Sequence, residues 1–166
     1  GLEFRRVLFR SKQTEKDLGD KYVQSGVEGL IEKMVVQMGR LGKKAGKGFY
    51  EYPADGRKHL WQGLAQLAPM SANQPEVAEI KKRLLYIQAL EAARCFEEQV
   101  VTDPADADIG AILGWGFAPW TGGPLSLIDT VGAAEFVREC DRMAQAYGPR
   151  FAPNALLRTM ASSGGT

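Results

Sequence analysis

The chain has 166 residues, of which 45% are apolar and 25% charged, a composition typical of a folded globular protein and not of a disordered one. It contains no apolar run of about 18 residues and no charged-then-apolar leader, so we expect neither a membrane span nor secretion. The charge is uneven, because residues 1–58 hold 13 Lys or Arg and only 8 Asp or Glu. Cys95 and Cys140 lie in helical patterns without CxxC spacing, which indicates buried thiols in the cytosol or an organelle matrix.

The first eleven residues, GLEFRRVLFRS, do not begin with methionine, and we interpret residues 1–11 as a non-native leader. A helix is predicted next, since apolar residues recur every three or four positions and Gly39 supplies a left-handed stop. Its predicted buried stripe consists of Val27, Leu30, Ile31, Met34, Val35 and Met38.

The segment after this helix changes character. Phe49, Tyr50 and Tyr52 predict a short extended piece before Pro53. We interpret residues 53–72 as a linker that carries one short helix, with an apolar run at Leu60, Trp61, Leu64 and Leu67.

A second module is predicted over residues 73–166. Asn73 and Glu76 have the spacing of a capping box, so a helix is expected to start there and to reach about Gln99. Two apolar faces on this helix indicate a central helix that is covered on both sides. One face holds Val77, Ile80, Leu84 and Ile87, and the other holds Leu85, Ala89, Ala92 and Phe96.

The next helix has a clear start signal. Asp103 is the predicted N-cap, Pro104 suits the first helical position, and Asp106 suits the positive end of the helix dipole. We expect a buried face at Ile109, Ile112 and Leu113 and an end at Gly114.

An aromatic loop, GWGFAPWTGGP, follows at residues 114–124. Its glycines and large rings predict a tight backbone held by buried side chains. We expect these residues to be core or domain-interface anchors, with contact to an acyl chain as the alternative. The candidates are Trp115, Phe117, Pro119, Trp120, Gly122, Gly123 and Pro124.

The rest of the chain reads as helix. Pro124 starts a short helix, a longer one ends at Gly148 and Pro149, and a last one carries Leu156, Leu157 and Met160. Because this module shows no alternating strand pattern, the predicted fold class is all-α.

Residues 19–39 and 148–164 repeat one order of features: a glycine, a basic residue, an aromatic residue, an apolar helix and a final glycine. Two origins remain open. The chain contains a duplicated module whose first copy is incomplete, or two amphipathic helices are similar by chance.

The sequence contains no convincing catalytic, nucleotide-binding or metal-binding motif. His59 lacks a nearby partner for a triad, so we expect an exposed structural histidine. GWGFAP follows a helix and ends in proline, unlike a dinucleotide-binding turn, and LGKKAGKG lacks the first glycine and the hydroxyl residue of a P-loop. Helix capping explains Asp103 and Asp106 better than a metal site does, and no EF-hand loop accompanies them and Asp108.

One basic cluster remains as a candidate site. It consists of Arg40, Lys43, Lys44 and Lys47 in a glycine-rich segment. Such a cluster meets phosphate on a nucleotide, on coenzyme A or on nucleic acid, or it is a solvated loop. The lack of aromatic residues interleaved along a face argues against nucleic acid.

Three segments resemble one family. GRLGKKAGKGFYEYP, LEAARCFEEQVVTDPADADIGAILGWGFAPWTGGPLSLIDTVG and YGPRFAPNALLRTMA are similar to the C-terminal end of the multifunctional fatty-acid β-oxidation enzyme, in its 3-hydroxyacyl-CoA dehydrogenase part. The resemblance covers about residues 15–161. It implies helical domains of the 3-hydroxyacyl-CoA dehydrogenase C-terminal type, which is 6-phosphogluconate dehydrogenase C-terminal-like. Residues 12–52 would be the tail of a first such domain and residues 73–166 a second.

The resemblance also implies a function for the parent enzyme, the oxidation of (S)-3-hydroxyacyl-CoA to 3-oxoacyl-CoA with NAD. The family's catalytic histidine and glutamate belong to a Rossmann domain, which this chain lacks, and Lys82 stands where the family's asparagine would fall in this copy. We therefore expect no catalytic residue and no bound NAD here. The expected partners are the Rossmann and enoyl-CoA hydratase domains, a thiolase subunit and acyl-CoA, met at Lys43, Lys44 and Lys47. A freestanding helical interaction or acyl-CoA-binding module is the alternative.

Overall fold

The computed structural model describes residues 4–22, 24 and 26–164, and the chain divides into unit 1, Gly1–Gln74, and unit 2, Pro75–Thr166. Eight α-helices and one two-stranded sheet make up the regular structure of the described residues, together with short 3₁₀ and π turns. The all-α prediction is thus confirmed. The boundary between the units falls close to residue 73, where the second module was predicted to begin.

Unit 1 opens with two helices, α1 at Phe4–Leu18 and α2 at Gly26–Glu32, joined through a 3₁₀ turn at Gly19–Lys21. Residues 4–11 of the predicted leader form the first turns of α1, and residues 1–3 lie outside the described part. Helix α2 runs directly into a π-helical turn at Lys33–Gln37. Gly39 then adopts φ 61°, the predicted left-handed stop.

The predicted stripe on α2 is only partly buried. Ile31 and Met34 are buried, but Val27 is 56% exposed and Met38 37% exposed. The prediction is wrong for these two residues. Periodicity identifies an apolar face, but the few elements of unit 1 do not cover its ends.

A small β-ladder follows in unit 1. Strand β1, Tyr50–Glu51, pairs antiparallel with β2, His59–Leu60, so that Tyr50 faces Leu60 and Glu51 faces His59. Lys47 also bridges to Glu51, and Gly42 bridges to Lys47. The extended piece at Tyr50 is therefore confirmed. Residues 53–72 contribute β2 and the short helix α3, Leu64–Leu67, to the same unit.

Unit 2 begins with the long helix α4, Val77–Glu97. The predicted capping box is wrong, because Glu76 is the N-cap and makes no side-chain cap bond. Asn73 lies in a bend before the helix, where its backbone N–H donates to Ser71 Oγ at 3.2 Å.

Only one face of α4 is buried within this chain. The buried residues are Tyr86, Ala89, Leu90 and Ala93. Val77 is 64% exposed and Leu84 60% exposed. The prediction of a helix covered on both sides is therefore wrong for this chain, although the apolar face itself is present.

Four further helices complete unit 2 and leave one face of α4 exposed: α5 at Pro104–Trp115, α6 at Pro124–Val131, α7 at Ala133–Tyr147 and α8 at Ala155–Ser163. Helix α4 packs on α6, and α7 packs on α8. Phe136 of α7 stacks on Tyr86 of α4 with ring centroids 4.5 Å apart. The core these helices enclose consists of Tyr86, Ala89, Leu90, Ala93, Ile128, Phe136, Val137, Cys140, Met143, Phe151 and Leu157.

Both cysteines are free thiols in helices. Cys140 is fully buried, and burial raises the pKa of its thiol to about 12. Cys95 is only half-buried. The prediction of buried thiols is thus confirmed for Cys140 and only in part for Cys95.

Helix α5 starts as predicted and ends differently. Asp103 Oδ1 accepts the N–H of Ala105 at 2.8 Å, and Pro104 is the first helical residue. The helix continues past Gly114 to Trp115, where Gly116 caps it with φ 79°. Ile109 and Leu113, expected in the core, are 55% and 80% exposed, whereas Asp108 and Ala111 are buried. Asp108 is buried because its carboxylate accepts hydrogen bonds from the first turn of α6.

Candidate functional site

The buried carboxylate of Asp108 holds the start of α6. It accepts the N–H of Leu125 at 2.7 Å, the N–H of Ser126 at 3.1 Å and the hydroxyl of Ser126 at 2.5 Å. These N–H groups belong to the first turn of α6 and lack partners within their own helix. A side chain of α5 therefore supplies the N-cap that α6 does not supply itself.

Gly123 makes this contact possible. Its φ of 129° lies outside the range of ordinary side chains, and a Cβ built there would lie 2.3 Å from Cγ of Asp108. The sequence signal for this cap is weak, because its two halves are 17 residues apart. An aspartate in the middle of an apolar helix, before a Gly-Gly-Pro turn, is the pattern that would have suggested it.

The aromatic loop therefore has some buried residues and some exposed ones. Of the predicted anchors, Phe117, Gly123 and Pro124 are buried. Trp115 is 69% exposed and Trp120 83% exposed. Pro119 and Gly122 also lie at the surface.

The loop is ordered locally. It contains a 3₁₀ turn at Pro119–Thr121, and Thr121 Oγ1 donates to the carbonyl of Ala118 at 2.7 Å. Trp120 therefore stands out from a fixed turn and does not pack in the core of unit 2. Its role as a domain-interface anchor stays a prediction.

A polar cluster joins α4 to α7. Arg142 donates to Glu79 at 2.8 Å and to Glu139 at 2.6 Å, and Tyr147 donates to Glu79 at 2.8 Å. The hydrogen bonds from Arg142 hold the pKa values of Glu79 and Glu139 below their usual range, and the hydrogen bond from Tyr147 lowers the pKa of Glu79 further. Lys82 Nζ lies 3.2 Å from Oε1 of Glu139.

The basic segment of unit 1 separates into a buried and an exposed part. Lys43, Lys44 and Lys47 are exposed, around a 3₁₀ turn at Lys43–Ala45. Arg40, which the sequence grouped with them, is 6% exposed. Arg40 is therefore an interior residue, and the prediction that it belongs to the surface cluster is wrong.

Arg40 organises the interior of unit 1. Its Nε donates to the carbonyl of Gly48 at 2.8 Å, its guanidinium pairs with Glu51 at 2.7 Å, and it lies 4.0 Å from the ring centroid of Trp61. Residues from three separate stretches of the chain thus meet at one charged side chain.

The remaining ionisable candidates do not converge. His59 is exposed on β2, as expected. In the part of the chain that the structure describes, no group of three His, Cys, Asp or Glu side chains is arranged to hold a metal ion. Each helix among the described residues is too short or too polar to span a lipid bilayer.

Known proteins provide the decisive comparison. No family model matches the chain. Fatty acid oxidation complex subunit alpha of Shewanella amazonensis is 40% identical over 155 residues, which cover 92% of this chain and 21% of that protein. The subunits of the same name from Shewanella loihica and Shewanella halifaxensis are each 37% identical, over 90% of this chain and 21% of their own length.

The chain is homologous to a part of fatty acid oxidation complex subunit alpha. This confirms the resemblance to the multifunctional β-oxidation enzyme. The chain spans about a fifth of the length of these alpha subunits.

Proposed function

We propose that this chain is the C-terminal helical part of an NAD-dependent 3-hydroxyacyl-CoA dehydrogenase, in which it is a structural platform and supplies no catalytic residue. The parent enzyme oxidises (S)-3-hydroxyacyl-CoA to 3-oxoacyl-CoA. Its Rossmann domain binds NAD, and its enoyl-CoA hydratase domain completes the same polypeptide. The proposal rests on the homology, and the exposed apolar surface of unit 2 is the structural observation that carries it.

That surface lies on two helices. Helix α5 is apolar around most of its circumference, with Ile109 and Leu113 on its exposed side and Ala111 on its buried side. Helix α4 exposes Val77, Ile80 and Leu84, which are three and four residues apart. Helices of this kind are usually covered by other protein. The missing domains of the parent are the covering partner that we propose.

The polar groups of unit 2 support a structural role. Lys82 pairs with Glu139, and Glu79 is engaged by Arg142 and Tyr147. Asp108 is saturated by the start of α6. A general acid or base needs a free path to its substrate, and each of these groups is already engaged by a neighbour within unit 2.

The internal repeat supports a duplicated helical domain. The end of α1, residues 12–18, and the end of α7 are each followed by a glycine and a 3₁₀ turn. The next helix in each copy ends at a left-handed glycine, Gly39 with φ 61° and Gly164 with φ 65°. The stretch from Leu30 to Gly39 in the first copy is one residue longer than the stretch from Leu156 to Gly164 in the second. A π-helical turn, such as the one at Lys33–Gln37, accommodates one extra residue in a helix. We infer that unit 1 holds the tail of the first copy.

Contacts and location complete the proposal. We propose that Lys43, Lys44 and Lys47 contact the phosphates of coenzyme A, since all three are exposed in or just after the 3₁₀ turn Lys43–Ala45. A thiolase subunit is a further partner that we propose from the family resemblance. We propose the bacterial cytoplasm as the location, since the three relatives are Shewanella proteins.

Activity tests this proposal directly. The chain is mixed with acetoacetyl-CoA and NADH, and NADH oxidation is followed by absorbance. We expect no turnover from the chain alone and turnover from the full-length parent. Steady turnover by the isolated chain would contradict the platform role.

The platform role has its own test in the full-length parent. Leu84→Asp places a charge on the exposed face of α4, so we expect looser association of the helical part, measured by limited proteolysis. Lys81→Asp, on the same helix, is the control. Equal proteolysis of the two variants would count against the interface.

A freestanding interaction or acyl-CoA-binding module is the second candidate. Two features of unit 1 favour it: the basic turn at Lys43–Ala45 and an apolar cavity lined by residues that include Leu30, Leu60, Trp61 and Met70. Sequencing the gene upstream of residue 1 separates the two candidates. A Rossmann domain in the same reading frame removes the freestanding module.

A further inference from the structure

Unit 2 contains an apolar cavity of about 240 Å³, lined by the end of α4, the start of α5, and by α6 and α8. Ile128 and Leu157 of its lining are buried, whereas Phe96, Leu125 and Met160 are half-buried, so the cavity opens at the surface. Sites for drug-sized ligands measure about 300–1,000 Å³. This cavity is therefore suited to a smaller molecule with an apolar body.

Asp129 is the charged residue among the described residues of the lining. It is exposed and lies in the last turn of α6. Within the part of the chain that the structure describes, its carboxylate forms neither a hydrogen bond nor an ion pair. The last turn is the negative end of a helix dipole, where a carboxylate is unfavourable unless a cation is near. The position of Asp129 therefore favours a positively charged ligand.

The positive ends of two helices at the cavity are already neutralised. Glu97 Oε1 accepts the N–H of Leu156, in the first turn of α8, at 2.7 Å. Asp103 caps α5 just before the lining residue Pro104. The negative ends of α4 and α6 have no such compensation from these two carboxylates. The potential at the mouth of the cavity is therefore negative.

The basic residues nearest in sequence to the lining are engaged elsewhere. Arg94 of α4 lies 3.0 Å from Glu91 and donates to two backbone carbonyls. Arg158 of α8 pairs with Asp141 at 2.7 Å. Because both guanidinium groups have partners, a cation for Asp129 must come from outside these helices.

We propose that this cavity binds a small primary alkylammonium ion, with the ammonium group at Asp129 and the hydrocarbon against Ile128, Leu157 and Met160. The unpaired carboxylate selects the positive head, and the apolar lining selects the chain. A stable protein interface needs about 800 Å² on each partner, far more than a cavity of this size offers, so the ligand is a free small molecule. This site goes beyond the platform role and does not rest on it.

Calorimetric titration of the full 166-residue chain with butyl-, hexyl- and octylammonium chloride measures the binding. We expect the affinity to rise about fourfold for each methylene that enters the cavity. Hexanol has the same chain without the charge and should bind about fivefold more weakly than hexylammonium. Hexanoate should not bind measurably, because its charge is repelled. Added salt should weaken the binding of hexylammonium and not that of hexanol.

Substitutions locate the site. Asp129→Asn removes the charge at nearly constant size, so it should weaken hexylammonium binding about fivefold and leave hexanol binding unchanged. Asp55→Asn, at an exposed carboxylate of unit 1, is the matched control and should change neither affinity. Met160→Trp should fill the cavity and abolish the binding of both molecules. Leu156→Trp repeats that test if circular dichroism shows that Met160→Trp does not fold.

Three results would overturn the proposal. One is equal affinity for hexylammonium and hexanol, and another is an unchanged affinity for hexylammonium in Asp129→Asn. The third is tighter binding of the peptide acetyl-Leu-Lys-Leu-amide than of octylammonium, which would assign the cavity to a protein segment. The same titration of the full-length parent should reproduce the affinity of the isolated chain. Loss of binding there would show that another part of the parent fills the cavity, which also contradicts a small-molecule site.

Discussion

Units 1 and 2 are both built on helices, but they are held together by different interactions. Unit 2 encloses a continuous apolar core between α4, α6, α7 and α8. In the described part of unit 1, the buried large apolar side chains are Ile31 and Met34. Its interior instead centres on Arg40, which contacts Gly48, Glu51 and Trp61. Hydrophobic burial thus stabilises unit 2, whereas a buried cation with specific partners organises unit 1.

The repeated segments show why the difference arises. Helix α8 of unit 2 packs on α7 and also contacts α4. Its counterpart α2 packs on α1, and the described part of unit 1 contains no long helix equivalent to α4. Similar sequence patterns therefore form similar helices, but the depth of burial depends on which third element is present.

The largest expected effect tests the core of unit 2. Phe136→Ala removes a fully buried ring that stacks on Tyr86. We expect a loss of about 3–5 kcal/mol in the free energy of unfolding, from lost burial and a cavity. Urea unfolding followed by circular dichroism measures it. Leu113→Ala, at an 80% exposed position, is the control and should change stability by less than about 0.5 kcal/mol.

The next prediction tests the charged interior of unit 1. Arg40→Ala removes the partner of Glu51 and of the Gly48 carbonyl, so we expect a loss of about 2–3 kcal/mol in local stability. Hydrogen exchange of the ladder amides, such as Gly42 and Tyr52, measures it. Arg40→Lys keeps the charge and should lose less. Unchanged protection in Arg40→Ala would show that the apolar contacts alone hold unit 1 together.

A smaller effect is expected at the cap between α5 and α6. Asp108→Ala leaves the N–H groups of Leu125 and Ser126 without their acceptor, which should cost about 1–2 kcal/mol. Asp106→Ala, on the exposed side of α5, removes only a dipole interaction and should cost less than about 1 kcal/mol. Thermal unfolding of both variants checks the difference. Equal melting temperatures would contradict the capping role of Asp108.

The polar cluster of unit 2 predicts a pH dependence. The pKa values of Glu79 and Glu139 are lowered below 4.5 in the folded chain, chiefly by hydrogen bonds from Arg142. The unfolded chain therefore binds protons first as the pH falls, and this stabilisation is present above about pH 4.5 and lost below it. Urea unfolding between pH 3 and 6 measures the slope. Glu79→Gln should flatten it, and an unchanged slope would rule out Glu79 as a contributor.

Much of the fold could be predicted from the sequence because its signals are local. The N-cap at Asp103, the left-handed glycine at Gly39 and the apolar spacing of α7 each lie within a few residues of the structure they cause. Strand β2 was missed, since two residues carry no periodicity and its partner is β1.

Burial and the site were harder to predict. Apolar spacing places Ile109 and Leu113 on one face, but it cannot show whether that face has a partner inside this chain. Asp108 is buried because α6 offers it three donors, and that requires the folded loop between them. In the same way, Arg40 was grouped with three surface lysines, because its partners Gly48, Glu51 and Trp61 come together only in the ladder.

The smallest expected effect concerns the exposed rim of unit 2. Trp120 is 83% exposed and Phe117 is 2% exposed, although both belong to one loop. Trp120→Ala should change the unfolding free energy of this chain by less than about 0.5 kcal/mol, whereas Phe117→Ala should cost about 3–5 kcal/mol. If Trp120 is an interface anchor, the same substitution in the full-length parent should lower its melting temperature. Equal, negligible effects in both proteins would mean that Trp120 contributes neither to the core nor to an interface, and the comparison of the two proteins by calorimetry distinguishes these roles.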